Sequence, residues 1–495
     1  MTIAPYGQTA LAAHRASERF AALKSTLADH QAQLSTGRAA TTYAGLGSGV
    51  STSLTLRSQI SSYDSYTANI ADAQVRIGLL NAGVTQAEKL GRSLVTSLPA
   101  ALNTTTFGST GYAASPEDGL RQLVDLFNQN LNGRYLFAGR AADTAPVVDY
   151  DLMMNGDATR AGLQQLVAER KAADGGADGL GRLAVSAAGA TATLGETAAA
   201  LPFGFKVTAA SSTGGRVAAG YNAASPAAAS FTVGTQAEAG DKVSVTLGLP
   251  DGSTQSFDLV AGTANSETGF AIGATADNTA ANIATALGLK VKSLAGSTLA
   301  AGSVMAATTN FFGATAANPP LRVVGATPET ATSLAAGTTA VVWYKGDVSA
   351  NPRDAALVRI GDDQVIGIGA EAREPAFQAV LSAFGALAAD GFTPVTTTSQ
   401  ARYASLVDRI KTLLGSPTGT TLREITTDMS IASKTMDNAK TVIAQSSAQA
   451  KDALAGIEDA DPTEAASRLL AAQTKLQASY QITSTVLRLS LADYL

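Results

Sequence analysis

The sequence predicts an elongated α+β chain. Long N- and C-terminal helices pair in a coiled-coil-like bundle and flank a mostly β central insertion. Three observations carry this expectation. Apolar residues recur three and four positions apart over both ends of the chain. Between them lies a stretch rich in Ala, Gly, Ser and Thr, with short alternating runs separated by turn signals. Neither helical end can bury its apolar stripe alone, so the two must pack together. The expected division is an N-terminal helical assembly region over 1–140 and a surface-exposed insertion over 141–375, divisible into two subdomains. A C-terminal helical assembly region over 376–495 then packs with the first.

The first helix is marked by Ala13, Ala16, Phe20, Leu23, Leu27, His30 and Leu34, a heptad seam with Arg15, Glu18, Arg19, Lys24 and Gln31 off its line. About three heptads fit before Gly37, which is short for an autonomous coiled coil. A second helix is expected from about Ser53 to Leu98, with Ile60, Tyr63, Ile70, Ala73, Ile77, Leu80, Val84 and Ala87 on one face. At 1.5 Å per residue such a rod is roughly 60 Å long or more. Pro99 ends it, and Ser115-Pro116-Glu117 reads as the cap and first turn of the next helix, which stops at Asn132-Gly133.

In the insertion, "KVSVTLGL", "PDGS" and "TQSFDLVA" read as strand, turn and strand. "FGFKVTAA", "SFTVG", "TAVVWYKG" and "ALVRIGDDQVIGIG" are further strand candidates, and "DNTAANIATALGL" reads as one short helix. Helical periodicity resumes at Pro375 with Phe377, Val380, Leu381 and Phe384, then Tyr403, Leu406, Val407, Ile410, Leu413 and Leu414. A long pattern follows through Leu422, Ile425, Met429, Ile431, Met436, Val442, Ile443 and Ile457. The last helix starts at Asp461-Pro462 and carries Ala465, Leu469, Ala472 and Leu476.

Bulk composition narrows the function. A formal charge of −5 in 495 residues gives no footprint for nucleic acid. Without cysteine there is no disulfide, thiolate nucleophile or thiolate-ligated metal. No apolar run is long enough to insert in a membrane, and the N-terminus lacks the basic-then-apolar pattern of a cleaved secretory signal. A cytoplasmic protein, or one exported without a cleaved signal, is expected.

Individual candidates for chemistry have simpler structural readings. "STGRAATTYAGLGSGVST", residues 35–52, carries Gly45, Gly47 and Gly49, but a dinucleotide fingerprint needs a strand before its glycines and has a third glycine where Val50 stands. A flexible connection between helices is expected instead, with Ser51 or Thr52 capping the second. His14 and His30, sixteen residues apart on one helix, share no face for a metal. Asp362-Asp363 reads as a turn, "IEDADPTE" as acids that favour a helix start, and Trp343 as a core anchor rather than a sugar platform. No catalytic, cofactor or metal residue is assigned, and the expectation is a non-enzyme.

At both ends the chain resembles the bacterial flagellin superfamily. "LADHQAQLSTGR" is similar to the end of that family's first helix, and "NGRYLFAG", Asn132 to Gly139, to the handover from the N-terminal helices to the outer domains. "DADPTEAASRLLAAQTKLQASYQITSTVLRLSLADYL" resembles its C-terminal helix, and the ending "LRLSLADYL" is closer to the hook-filament junction protein. After "LSTGR" the sequence departs from the Asn-, Asp- and Ala-rich stretch of ordinary flagellins. The resemblance implies signal-less export through the flagellar type III apparatus and a location outside the cell in the flagellum. It also implies terminal helices that bundle with those of neighbouring copies. The implied partners are copies of this chain in a helical polymer, hook-associated and cap proteins, and a flagellar export chaperone. Phe20, Leu23, Leu27, Leu34, Leu469, Leu476, Leu487 and Leu491 are the expected assembly contacts; some of them would instead join the terminal helices within one subunit. The leading expectation is a filament subunit serving motility, with the junction protein as the alternative. A surface adhesin with a carbohydrate-binding insertion, or an enzyme built on a carboxylate pair there, are the other classes considered.

Overall fold

A computed structural model of the chain describes residues 6–98, 110–392, 395–415 and 421–492; side chains are described over 14–98, 116–392, 395–415 and 421–485. Pro99, Ser416 and Pro417 lie outside the described residues, and Ala13, Leu487 and Leu491 outside the described side chains. The helices are α1 (Tyr6–Thr36), α2 (Val50–Ser97), α3 (Thr110–Phe127), α4 (Tyr150–Asn155), α5 (Leu163–Gly175) and α6 (Ala276–Leu294). They continue with α7 (Ala300–Phe312), α8 (Pro375–Asp390), α9 (Thr397–Gly415), α10 (Leu422–Glu458) and α11 (Pro462–Ala492). The chain divides into two compact units. One contains residues 1–72, 359–365 and 434–495, and the other contains 73–358 and 366–433.

The second unit holds two four-stranded sheets. In one, β3 (Leu183–Ala188), β4 (Thr191–Glu196), β7 (Ala228–Val233) and β6 (Val217–Asn222) lie in that order, all antiparallel. In the other, β10 (Gly269–Ala271) runs parallel to β9 (Thr254–Gly262), and β9, β8 (Lys242–Gly248) and β5 (Lys206–Thr213) are antiparallel. Alternation explains the sheets: Val243, Val245 and Leu247 on β8, and Phe257, Leu259 and Ala261 on β9, point to one buried side. They share a core with Leu194, Phe231 and the inner face of α6, Ile283, Leu287 and Val291. The β8–β9 hairpin turns at the expected "PDGS", where Gly252 adopts φ 82° and Asp251 accepts the Ser253 amide.

Several elements differ from the sequence expectation. The helix at "DNTAANIATALGL" runs on to Leu294 and, through a wide turn at Ala295–Leu299, into α7. Gly296 sits in that turn where a Cβ would come within 2.7 Å of the Thr398 methyl, so α9 packs directly on backbone. α3 begins at Thr110 with Pro116 inside it, where the proline leaves one ladder donor missing. Asn132-Gly133, expected as a helix stop, is a two-residue hairpin turn with both φ positive (53° and 79°), joining β1 (Asn130–Leu131) to β2 (Arg134–Tyr135). Two further short pairs are β11 (Leu321–Val324) with β12 (Ser333–Ala336), and β13 (Leu357–Arg359) with β14 (Val365–Gly367).

Helices of this unit pack through aromatic side chains. Phe127, Phe137 and Phe377 meet edge to face at 5.0–5.6 Å, and fully buried Trp343 packs on Phe312 at 5.4 Å while its indole donates to the Phe312 carbonyl. Asp390, buried at the end of α8, accepts Lys171 from α5 at 2.5 Å and Arg402 from α9 at 2.8 Å. Gly119 of α3 faces α8, where an added Cβ would stand 2.2 Å from the Phe384 ring. Gly119→Val is expected to destabilise the unit by about 1–3 kcal/mol, read as a lower urea midpoint at unchanged slope.

Candidate assembly site at the paired termini

The first unit is built from the two ends of the chain. α1 and α11 pack on each other, with Phe20 and Tyr480 edge to face at 4.9 Å near the middle of both helices and Gly37 bonded to Ala460 at one end. These two contacts fix an antiparallel pair. On α1 the half-buried positions include Phe20, Leu23, Leu27 and His30; on α11 they include Leu469 and Leu476, on the same seam as buried Ala465 and Ala472. The three-four spacing expected from the sequence thus faces the other terminal helix of the same chain. Leu34 is exposed.

The joint at residues 35–52 is closed by named contacts. Gly37, at φ 68°, ends α1 in the left-handed conformation that glycine adopts without strain. Ala39 N–H donates to the Glu458 carbonyl at 2.6 Å and Ala460 N–H to the Gly37 carbonyl at 2.8 Å, around an antiparallel bridge of Arg38 with Asp459. The Gln33 side chain donates to the Ala39 carbonyl and pairs with the His30 ring at 2.9 Å, so His30 has a hydrogen-bonding part here. A 3-10 turn over Tyr43–Gly49 leads straight into α2 at Val50. Ser51 and Thr52 therefore stand inside the first turn of α2, not at its cap.

Glu458, expected within "IEDADPTE" as an acid favouring a helix start, is instead the last residue of α10 and closes this joint. Its carboxylate takes Ser53 Oγ at 2.5 Å and Arg57 Nε at 2.8 Å on Oε1, while Arg57 Nη2 pairs with Oε2. Ser53 and Arg57 lie one helical turn apart on α2, a spacing that brings both to the same face. The partners are some four hundred residues apart in the chain, and no local pattern links them. Asp461, expected as a helix start, caps α11 by accepting the Thr463 and Glu464 amides at 2.8 and 3.3 Å. Asp362 lies in the β13–β14 turn and accepts the Tyr66 hydroxyl at 2.7 Å.

Among the described residues, exposed large apolar side chains are denser along this smaller unit than along the larger one. Leu54, Val442, Leu470, Tyr480 and Ile482 are all exposed, Leu470 and Ile482 at 64%. On α10, Ile425, Met429, Ala432, Met436, Ile443 and Ala450 form the buried seam. Ile431 and Val442, expected on the same stripe, are about 60% exposed because they fall off that spacing. Among the described residues, no cluster of His, Asp and Glu could hold a metal ion, and no helix is long and apolar enough to cross a membrane.

Comparison with known families matches residues 8–142 to the bacterial flagellin N-terminal helical region and residues 418–495 to the bacterial flagellin C-terminal helical region. No curated protein sequence matches the chain.

Hydrogen bonds from Arg57 and then Ser53 hold the Glu458 carboxyl at about 2, below its ordinary 4.5, against the opposing effect of desolvation. Because the folded value is depressed, the clasp contributes in full above the ordinary value and is lost as pH falls toward 2. In a carboxyl NMR titration, Arg57→Ala is expected to move the Glu458 midpoint up toward 4.5, and an unmoved midpoint would refute this account of the clasp.

Proposed function

Since the chain belongs to the bacterial flagellin superfamily, a family of structural proteins, we propose that it is the subunit of a flagellar filament, polymerising outside the cell through its terminal helices. The observation that supports this reading is the α1–α11 pair, which leaves Leu470, Tyr480 and Ile482 in water. Ordering the backbone costs about 1–2 kcal/mol per residue. Burying one leucine-sized side chain returns roughly 1.5–3 kcal/mol, so contacts with several neighbouring copies are what stabilise the terminal helices. A head-to-tail contact that does not close into a ring extends into a helical polymer.

Within this reading Phe20, Leu23, Leu27, Leu469 and Leu476 set the pairing of the two ends, and Leu34, Leu487 and Leu491 remain assigned to contacts between copies. The central residues 141–375 form the outward part of the subunit. Hook-associated and cap proteins and an export chaperone are the further partners that the family resemblance implies. The ending "LRLSLADYL" supports one second reading, the hook-filament junction protein of the same superfamily.

Seeds incubated with the full chain are expected to elongate under electron microscopy, and deletion of residues 476–495 to abolish elongation while the second unit stays folded. Leu470→Asp and Ile482→Asp separate the two roles of α11. Both sites are exposed, so monomer stability should stay within about 0.5 kcal/mol while elongation is lost. Immunogold label along whole filaments supports the filament reading, whereas label confined to their base replaces it with the junction reading.

A further inference from the structure

We propose that the second unit carries a binding groove for a single-chain anionic amphiphile, a long-chain fatty carboxylate. The groove has a volume of about 780 Å³ and lies among α2, α7, α8, α9 and the start of α10. That volume falls within the roughly 300–1,000 Å³ of small-molecule sites, which are mostly apolar with a few placed polar groups. Its apolar wall is Val95, Val380, Leu413, Leu414 and Leu422. Gly91, Gly313 and Gly415 also line it.

Charge selects the head group. Four charged residues line the groove: Glu88, Arg92, Lys411 and Arg423. Glu88 and Arg92, one turn apart on α2, pair with each other and cancel. Among the described residues Lys411 and Arg423 have no carboxylate partner, so the uncompensated charge at the groove is entirely positive. Lys411 is half-buried and Arg423 exposed, the arrangement in which a long cationic side chain covers apolar surface and keeps its head in water. A carboxylate between these two heads gains charge-assisted hydrogen bonds, and its alkyl chain covers the Leu413–Leu414 and Leu422 wall. Neutral amphiphiles lack the first contribution and short carboxylates lack the second.

The test uses the full-length chain and hexadecanoate below its aggregation concentration, followed by titration calorimetry. Saturable binding at one site is expected. Dodecanoate should bind at least tenfold more weakly, because each buried methylene strengthens binding roughly fourfold. Hexadecan-1-ol should also bind at least tenfold more weakly. The double variant Lys411→Ala, Arg423→Ala should lose at least tenfold in hexadecanoate affinity with an unchanged thermal midpoint, and Ala379→Trp, which fills the groove, should abolish binding. Absence of saturable binding overturns the proposal, as does equal affinity for the alcohol or full affinity in the double variant. Vesicles of anionic phospholipid form a further arm, and binding to them without binding to free hexadecanoate also overturns it.

Discussion

An antiparallel pair of helices has too little interior to bury the apolar residues it carries, and the first unit depends on that constraint. α1 and α11 half-bury their seam residues against each other, yet among the described side chains of α11 only alanines, Ala465 and Ala472, are enclosed. A globular domain covers such a pair with a third layer. Here the remaining apolar residues stay in water, which makes the pair incomplete as a monomer and competent as a building block. The second unit has the opposite balance. Its two sheets and α6 close a core of Phe, Leu, Val and Ile side chains at or near full burial. A single chain thus combines a self-sufficient unit with a terminal unit whose remaining apolar surface other copies can cover.

What holds the terminal unit in register is polar. Apolar seams tolerate sliding by a heptad, because each position along them looks alike. The Ser53, Arg57 and Glu458 contacts do not, since a bidentate guanidinium and a hydroxyl must meet one carboxylate. The Ala39–Glu458 and Gly37–Ala460 backbone bonds beside them add two directional constraints. Exposed ion pairs add little stability in general. The part of this one is to select a single alignment of the chain's two ends.

Periodicity made most of the helices legible. The α2 seam from Ile70 to Ala87 and the α9 seam from Tyr403 to Ile410 are buried as their spacing requires, while Ile60 and Tyr63 at the start of the α2 seam are half-buried. Alternation likewise marked the β8–β9 hairpin, and aromatic size marked Trp343. Length was harder to read, because α6 and α7 pass through a wide turn in a run of small residues that carries no helix signature. Ile431 and Val442 misled because apolar character was visible but the true seam, running through Ala432 and Ala450, was written partly in alanine. The Glu458 clasp and the Asp390 triad were invisible, as pairs joined only by tertiary folding leave no trace in local spacing.

The glycine-rich stretch between α1 and α2 shows how the two kinds of constraint meet. Its glycines supply space and backbone freedom, but they are not slack. A Cβ at Gly45 would fall 2.7 Å from that of Ala40, and one at Gly49 would fall 3.0 Å from the Ile457 side chain. Gly47, at φ 57°, takes a conformation that a larger residue adopts only under strain. Each glycine therefore answers a close approach or a reversal of the backbone. The loop is a fitted joint: α1 can take a new direction only if the Arg38–Asp459 bridge and its flanking hydrogen bonds open first. The same contacts that fix the direction of α1 therefore also align α11, and both meet at Glu458 and its neighbours.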